Sequence, residues 1–279
     1  MFFYPLLLGF VAISFPFLSL MGMMAISGRS FFKTAGSLSG MLLPFFVLPL
    51  IFLLWQPQTM MIAALDAIIG VGGVCLVFLW YLKSKRSLNN AFTVSTLIII
   101  IYGILRIFLW GPQLTGLHAQ AFESISGQLP AHLDAQMISS TLSIVKDFWP
   151  VYWILSQIMA LFVGFIIFQR MLGIKFQWAT LRFPAIYNVL FLAVLPLYFV
   201  PSVSTYFYNG LIALCAIPFL QGLAMLIQRM ALIFTNNVIR AVILIILLLN
   251  FLSYPFIILF GFSGIWWNQR TTKPGGNPA

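Results

Sequence analysis

Asp66 and Arg106 are charged residues inside apolar stretches of the sequence, where an ionised side chain is costly. A lone carboxylate in the middle of a membrane costs roughly 2.5–3.5 kcal/mol on insertion scales, and such groups are usually paired or functional. At 1.5 Å per helical residue, Asp66 lies ~12 Å and Arg106 ~7 Å below the same end of two consecutive apolar segments. The spacing predicts contact between them, either as a structural ion pair or as part of a binding cavity. Snorkelling of Arg106 to the interface is the alternative.

Small residues near Asp66 indicate which way its carboxylate faces. Ala63, Gly70 and Gly73 stand at i−3, i+4 and i+7 from Asp66, so all four share one face of a helix. A stripe of small residues lets another helix approach closely in a membrane. Asp66 is therefore expected to face protein and not lipid.

Uncharged polar residues deep in other apolar segments form a second group of candidates. Asn188, Asn209 and Gln221 are the candidate ligand-binding residues, and Gln157 and Asn250 lie at similar depth. A buried amide usually holds two helices together by hydrogen bonds. Several amides that converged on one cavity would instead bind a neutral polar solute. The sequence leaves both interpretations open.

The sequence carries none of the common catalytic or cofactor-binding patterns. It has no glycine-rich phosphate loop, no His-Glu zinc helix and no Gly-x-Ser-x-Gly elbow. An intramembrane aspartyl protease needs two carboxylates that share a proton, and Asp66 is the single acid within an apolar segment. His118 and His132 lack the i,i+3 or i,i+4 pairing of helical metal ligands. The sequence therefore predicts no enzyme activity, no metal and no cofactor.

The composition predicts the environment of the helices that position these residues. Of 279 residues, 62% are hydrophobic and 6% are charged, against roughly 25% charged in soluble domains. A water-soluble fold with so few charges would have a continuous apolar surface. Apolar runs of about 20 residues match helices that cross a ~30 Å hydrocarbon core, and they exclude the alternating strands of an outer-membrane barrel.

The predicted fold is therefore all-α: a polytopic transmembrane helical bundle with about eight spans in a single domain, residues 1–267. Pro57 and Pro201 stand at tight connections, which predicts hairpins of antiparallel helices on either side of each. The predicted spans are 3–26, 39–55, 58–82, 91–110, 149–170, 184–200, 205–228 and 240–264, and 268–279 is predicted to be a flexible polar tail.

The distribution of lysine and arginine predicts an orientation. Ten basic residues fall in connections on one side of the predicted bundle and three, Lys146, Arg270 and Lys273, on the other. The side with ten is expected to be cytoplasmic, with both termini outside. The formal net charge of +10 does not indicate nucleic-acid binding, because the charges stand singly or in threes between apolar runs.

One long connection, residues 111–148, is predicted on the outer side. It carries three of the four acidic residues of the protein, Glu123, Asp134 and Asp147. From Pro130 onward its apolar residues recur at helical spacing, and proline suits the first turn of a helix. The pattern predicts an amphipathic helix on the outer surface between spans 4 and 5. It would be either a connector or a lid over an outward-facing cavity.

A short motif near the C-terminal end carries a family resemblance. The stretch Tyr208-Asn209-Gly210 through Phe219-Leu220-Gln221-Gly222-Leu223-Ala224, closing at Arg229, resembles the C-terminal signature of the YybS-like family of bacterial multi-pass membrane proteins. The resemblance implies a bacterial cytoplasmic (inner) membrane. It also implies a distant similarity to the substrate-binding components of energy-coupling vitamin transporters.

Those components dock their energising partner through an Ala-x-x-x-Ala patch on an early helix. The matching pair in this sequence, Ala63 and Ala67, stands in the third apolar segment and not in the first. We therefore carry over no binding residues from the family. The functional hypothesis is a solute-binding or transport-associated membrane protein with an outward-facing polar cavity near Asp66 and Arg106. The alternative is a structural or assembly subunit of a larger membrane complex. Its expected partners are the lipid bilayer, a small polar solute and a membrane protein or energising complex.

Overall fold

A computed structural model describes residues 3–30, 40–85, 87–126, 135–178, 181–184, 186–199, 204–250 and 252–271. These residues form helices joined by short turns, and no β-strand occurs in these ranges. The all-α prediction is confirmed for this part of the chain. The α-helices are α1 (Phe3–Ser14), α2 (Pro16–Ser30), α3 (Pro44–Trp55), α4 (Pro57–Leu65), α5 (Val74–Lys85), α6 (Leu88–Ser126), α7 (Ala135–Met171), α8 (Ile186–Val194), α9 (Ser204–Ile233), α10 (Asn237–Leu249) and α11 (Ser253–Thr271). A π-helical segment (Asp66–Gly73) joins α4 to α5, and a 3₁₀ segment (Leu195–Phe199) follows α8.

The predicted count of eight spans is not supported. Four stretches of the described chain are long and apolar enough to cross a membrane: Met60–Ser84, Leu88–Leu117, Val151–Met171 and Phe207–Ile233. They correspond to the predicted spans 58–82, 91–110, 149–170 and 205–228. A fifth would be the pair α10 and α11, which bends by 108° at its break. The described part of the chain therefore has the long apolar helices of an integral membrane protein, but fewer of them than its hydropathy indicates.

The first predicted span, 3–26, is not one continuous helix, because the chain folds back at Phe15–Pro16. Proline lacks the N–H that would continue the helix. The Ser19 hydroxyl donates to the Leu8 carbonyl at 2.7 Å, and Gly22 lies directly against the Leu8 side chain. Residues 11 positions apart cannot meet in a straight helix. With 12 and 15 residues, α1 and α2 are each only ~18–22 Å long, which is too short to cross the membrane alone.

The eighth predicted span is broken by side chains that cap the backbone. The Asn250 side-chain oxygen accepts from the Leu252 N–H at 3.1 Å, and the Ser253 hydroxyl donates to the carbonyls of Leu247 and Asn250. Such local bonds compete with the continuous helix. Asn250 therefore ends α10, and the helix-to-helix bond predicted for its amide is not its role here.

The helix α11 runs parallel to α9, so the C-terminal end of α11 lies on a different side of the bundle from the one that the sequence predicts. Tyr254 packs on Phe219, with 5.5 Å between ring centroids, and further along Gly264 lies against Met225. The later residues of α11 therefore meet the later residues of α9, near Arg229. The helix ends at Thr271 on the same side of the bundle as Arg229. The prediction that Arg270 lies on the opposite side is not supported, and residues 272–279 lie outside the described ranges.

Much of the long connection, residues 111–148, is part of the two helices on either side of it. Backbone helix extends from Leu88 without interruption to Ser126, and from Ala135 to Met171. Helix is therefore present over 135–148, as predicted, but it continues directly into the following span. It is not a separate helix on the surface. Residues 127–134 and the side chains of 135–147 lie outside what the structure describes, including the predicted apolar face.

Aromatic packing brings several basic connections to one end of the bundle. The ring of Phe78 packs on Phe168 at 5.2 Å, and that of Phe92 packs on Phe165 at 5.2 Å and on Phe183 at 5.8 Å. The ends of α5 and α7, the start of α6 and the segment before α8 therefore meet. We call this end, with Arg29, Lys83, Arg170, Lys175, Arg182 and Arg229 beside it, the basic end.

Candidate functional site

Asp66 and Arg106 form a buried ion pair, as their spacing predicts. The Arg106 Nε donates to the Asp66 carboxylate at 2.9 and 3.2 Å, and one terminal nitrogen donates to the second oxygen at 3.0 Å. This two-pronged geometry is the strongest form of the pair. The Tyr102 hydroxyl donates to the same carboxylate at 2.8 Å. Asp66 and Arg106 are 6% and 8% exposed, so Arg106 does not snorkel to the surface.

The backbone around Asp66 is wider than an α-helix. Asp66–Gly73 is π-helical, and π segments inside α-helices frequently occur at functional sites. A methyl group on Gly70 would touch the Trp153 ring at 3.4 Å. That indole in turn lies beneath the Arg106 guanidinium, 4.9 Å from it to the ring centroid. Gly70 therefore lies beside α7, and Asp66 faces protein as predicted.

A second polar group lies one turn from Trp153. Gln157 is fully buried, and among the described residues neither end of its amide has a hydrogen-bond partner. The Trp153 indole N–H is also buried without a partner in this part of the chain. Unsatisfied buried amides are costly, so this stretch of α7 is not optimised for stability alone. The predicted helix-to-helix hydrogen bond of Gln157 is absent from the described contacts.

The other candidate amides do not converge on Asp66 and Arg106. Asn209 and Gln221 are both buried, but 12 residues on one helix separate them by ~18 Å. The Gln221 side-chain oxygen accepts from the Phe183 N–H at 3.2 Å. Asn188 is buried on α8 beside α11. The structure therefore places the predicted binding residues in separate regions.

A cavity of about 580 Å³, lined by both polar and apolar residues, lies at the basic end, between α9, α11 and the segment before α8. Neither Asp66 nor Arg106 borders it. At this cavity Gln228 connects α9 to the segment before α8, because the Gln228 side-chain amide donates to the Trp178 carbonyl at 3.0 Å. The residues that line the cavity are Leu181, Arg182, Gln221, Met225, Gln228, Arg229, Leu232, Phe260, Ser263 and Gly264. Of the predicted candidates, this cavity includes Gln221 alone.

Sequence reasoning missed Arg182, Arg229, Gln228 and Ser263 as site residues. A signal was available in Gln221 and Gln228, because residues seven apart share one face of a helix. Both amides tie α9 to the segment before α8. Arg182 and Arg229 contribute to the basic bias that predicts the orientation, but nothing in the sequence shows that they border the same cavity.

The two arginines of the cavity form no ion pair with a carboxylate in the described part of the chain. Among the described residues, the recorded ion pair is that of Asp66 with Arg106. Glu123 and Asp147 belong to helix segments at the other end of the spans, and Asp134 lies outside the described residues. The polar residues of the cavity lining are two arginines, two glutamines and one serine. This combination is suited to an anion that also accepts hydrogen bonds.

A close crossing of two helices supports the cavity. A methyl group on Gly222 would overlap the Ile257 carbonyl oxygen, and one on Gly261 would overlap the Pro218 carbonyl oxygen. The backbones of α9 and α11 therefore touch at this pair of glycines. Gly222 and the neighbouring Gln221 belong to the motif of the family resemblance, and the crossing is a physical reason for glycine at that position.

No protein-family model, curated protein or solved structure matches this chain. The resemblance to the YybS-like family remains a prediction from the motif alone.

Proposed function

We propose that this integral membrane protein is solute-binding or transport-associated, and that its ligand is an anion held in the cavity at the basic end. The observation that carries the proposal is the pair Arg182 and Arg229, which line one cavity with no carboxylate partner among the described residues. The buried Asp66–Arg106 pair then serves to lock α6 to the π-helical segment. Its charges are already matched, so it offers little to a ligand.

The test is a comparison of what the protein retains on purification. Wild type in a mild neutral detergent is expected to carry an anionic compound detectable by mass spectrometry, and Arg182→Gln/Arg229→Gln is expected to lose it. The matched control is Arg29→Gln/Arg170→Gln, which removes the same charge from exposed positions at the same end. Equal retention by all three proteins would contradict the proposal.

The proposed orientation places the basic end in a bacterial cytoplasm, because short connections rich in lysine and arginine stay on that side. In intact cells, cysteines introduced at positions 85 and 270 are expected to resist an impermeant thiol reagent, and one at position 125 to react. Protection of 270 distinguishes this arrangement from a last span that ends outside. The background for the experiment is Cys75→Ala/Cys215→Ala. Labelling at 85 or 270 together with protection at 125 would contradict this orientation and indicate the opposite one.

A structural or assembly subunit is the second candidate, and α10 favours it. None of the residues in α10 is buried, although the helix is almost entirely apolar. A helix with no packed face can hold a partner protein as well as lipid. The same purification tests this alternative, since a stoichiometric co-purifying protein would support it.

The docking patch of energy-coupling transporters has no clear counterpart here. Ala67, the second residue of the candidate Ala-x-x-x-Ala pair, is completely buried in the core. It therefore cannot present a surface to an energising partner while this packing is kept. The proposal of a transport-associated role rests on the cavity and not on that patch.

A further inference from the structure

An apolar groove adjoins the polar cavity. It has a volume of about 660 Å³ and lies between α8, α9 and α11. Ser263 borders both spaces. The residues of α11 that line the groove are Pro255, Ile258, Leu259, Phe262, Ser263 and Trp266, most of which recur at the spacing of a single helix face. A polar, positively charged compartment therefore continues into an apolar one along the same helix.

The groove extends from the basic end toward the middle of the bundle. Pro255 and Trp266 are 11 residues apart, which corresponds to ~16 Å along α11. Trp266 is half-exposed near Ser263, and tryptophan is enriched where the hydrocarbon core meets the headgroups. We therefore expect the arginines at the level of lipid headgroups, and Pro255, Ile258 and Leu259 at the level of acyl chains.

No carboxylate of the described residues pairs with Arg182 or Arg229. Of the described acidic residues, Asp66 is paired with Arg106, and Glu123 and Asp147 belong to helix segments at the other end of the spans. Anionic headgroups attract basic residues near a membrane surface by about 1 kcal/mol each. A soluble anion would satisfy Arg182 and Arg229, but it would leave the groove without an occupant.

We propose that the cavity and the groove together bind one anionic phospholipid from the leaflet at the basic end. Its phosphate is bound by Arg182 and Arg229, and one acyl chain lies in the groove against Leu259 and Phe262. This inference rests on the proposed function and specifies the chemical class of the ligand. A single lipid molecule would occupy both the cavity and the groove.

The test uses delipidated protein in neutral detergent and measures thermal unfolding with three probes: phosphatidylglycerol, phosphatidylcholine and glycerol 3-phosphate. Phosphatidylglycerol is expected to stabilise wild type more than the other two do. For Arg182→Gln/Arg229→Gln its affinity should fall about 30-fold, since two basic contacts are lost. The variant Arg29→Gln/Arg170→Gln should bind like wild type.

A second pair of variants tests the groove. Leu259→Trp should weaken the binding of phosphatidylglycerol by filling the groove, and Leu249→Trp, an exposed leucine on α10, should not. If glycerol 3-phosphate stabilises the protein as well as the lipid does and Leu259→Trp has no effect, the lipid is excluded while the anion site stands. If phosphatidylglycerol stabilises wild type and Arg182→Gln/Arg229→Gln equally, Arg182 and Arg229 bind neither the lipid phosphate nor another anion, and both proposals are overturned.

Discussion

Asp66→Asn and Arg106→Gln are each expected to lower the free energy of unfolding by about 3–5 kcal/mol, because each leaves one buried charge without its partner. The carboxylate accepts from Arg106 and Tyr102, and both members of the pair are more than nine-tenths buried. Titration of the purified protein with a denaturing detergent measures the change. Arg170→Gln, at an exposed position on α7, is the control and should change stability by less than about 0.5 kcal/mol.

The double variant Asp66→Asn/Arg106→Gln shows whether the two side chains stabilise the protein through their contact or independently of each other. It is expected to be more stable than the sum of the single losses predicts, since two neutral amides leave no uncompensated charge. The difference is the coupling energy of the pair. Losses that simply add would mean that the 2.9 Å contact contributes nothing, and Asp66 would then be a candidate for binding a cation.

Gly222→Val is expected to destabilise the protein by about 3 kcal/mol, at the upper end of typical overpacking costs. The added side chain would meet the backbone carbonyl of Ile257, which cannot move aside as a flexible side chain can. The helices α9 and α11 would have to separate. Since Gln221, Met225 and Gly264 line the cavity beside this crossing, the same variant should also lose its bound anion.

Gly210 provides a control on the same helix with the opposite expected sign. A methyl group there has no atom within 4 Å, and replacing a glycine inside a helix by alanine stabilises it by roughly 0.5–1 kcal/mol. Gly222→Ala should therefore destabilise and Gly210→Ala should stabilise, as measured in the same denaturation experiment. Equal changes at both positions would show that the helices do not touch at Gly222.

The class of the protein and its charged contact follow from the sequence itself. Long apolar runs require helices in a membrane, because every backbone group must be bonded internally there. The pairing of Asp66 with Arg106 could be predicted because two consecutive helices are antiparallel and both charges lie near the same end. That inference needs only the rise per residue and the cost of an isolated charge.

Hydropathy overestimated the number of spans because it averages over single residues that interrupt a helix. Phe15–Pro16 and Asn250–Ser253 lie within apolar windows, but proline and capping side chains break the backbone there. The consequence is large at the C-terminal end. The 108° bend between α10 and α11 turns α11 back, so that its end lies at the basic end.

The sequence by itself determined that this is a helical membrane protein with one matched pair of buried charges and a basic side. The tertiary structure alone decided that Arg182, Arg229, Gln228 and Ser263 border one cavity. These residues come from three separate segments of the chain, and their meeting depends on the glycine crossing of α9 and α11. Periodicity shows which residues share the face of one helix. Only packing determines which faces of different helices enclose the same space.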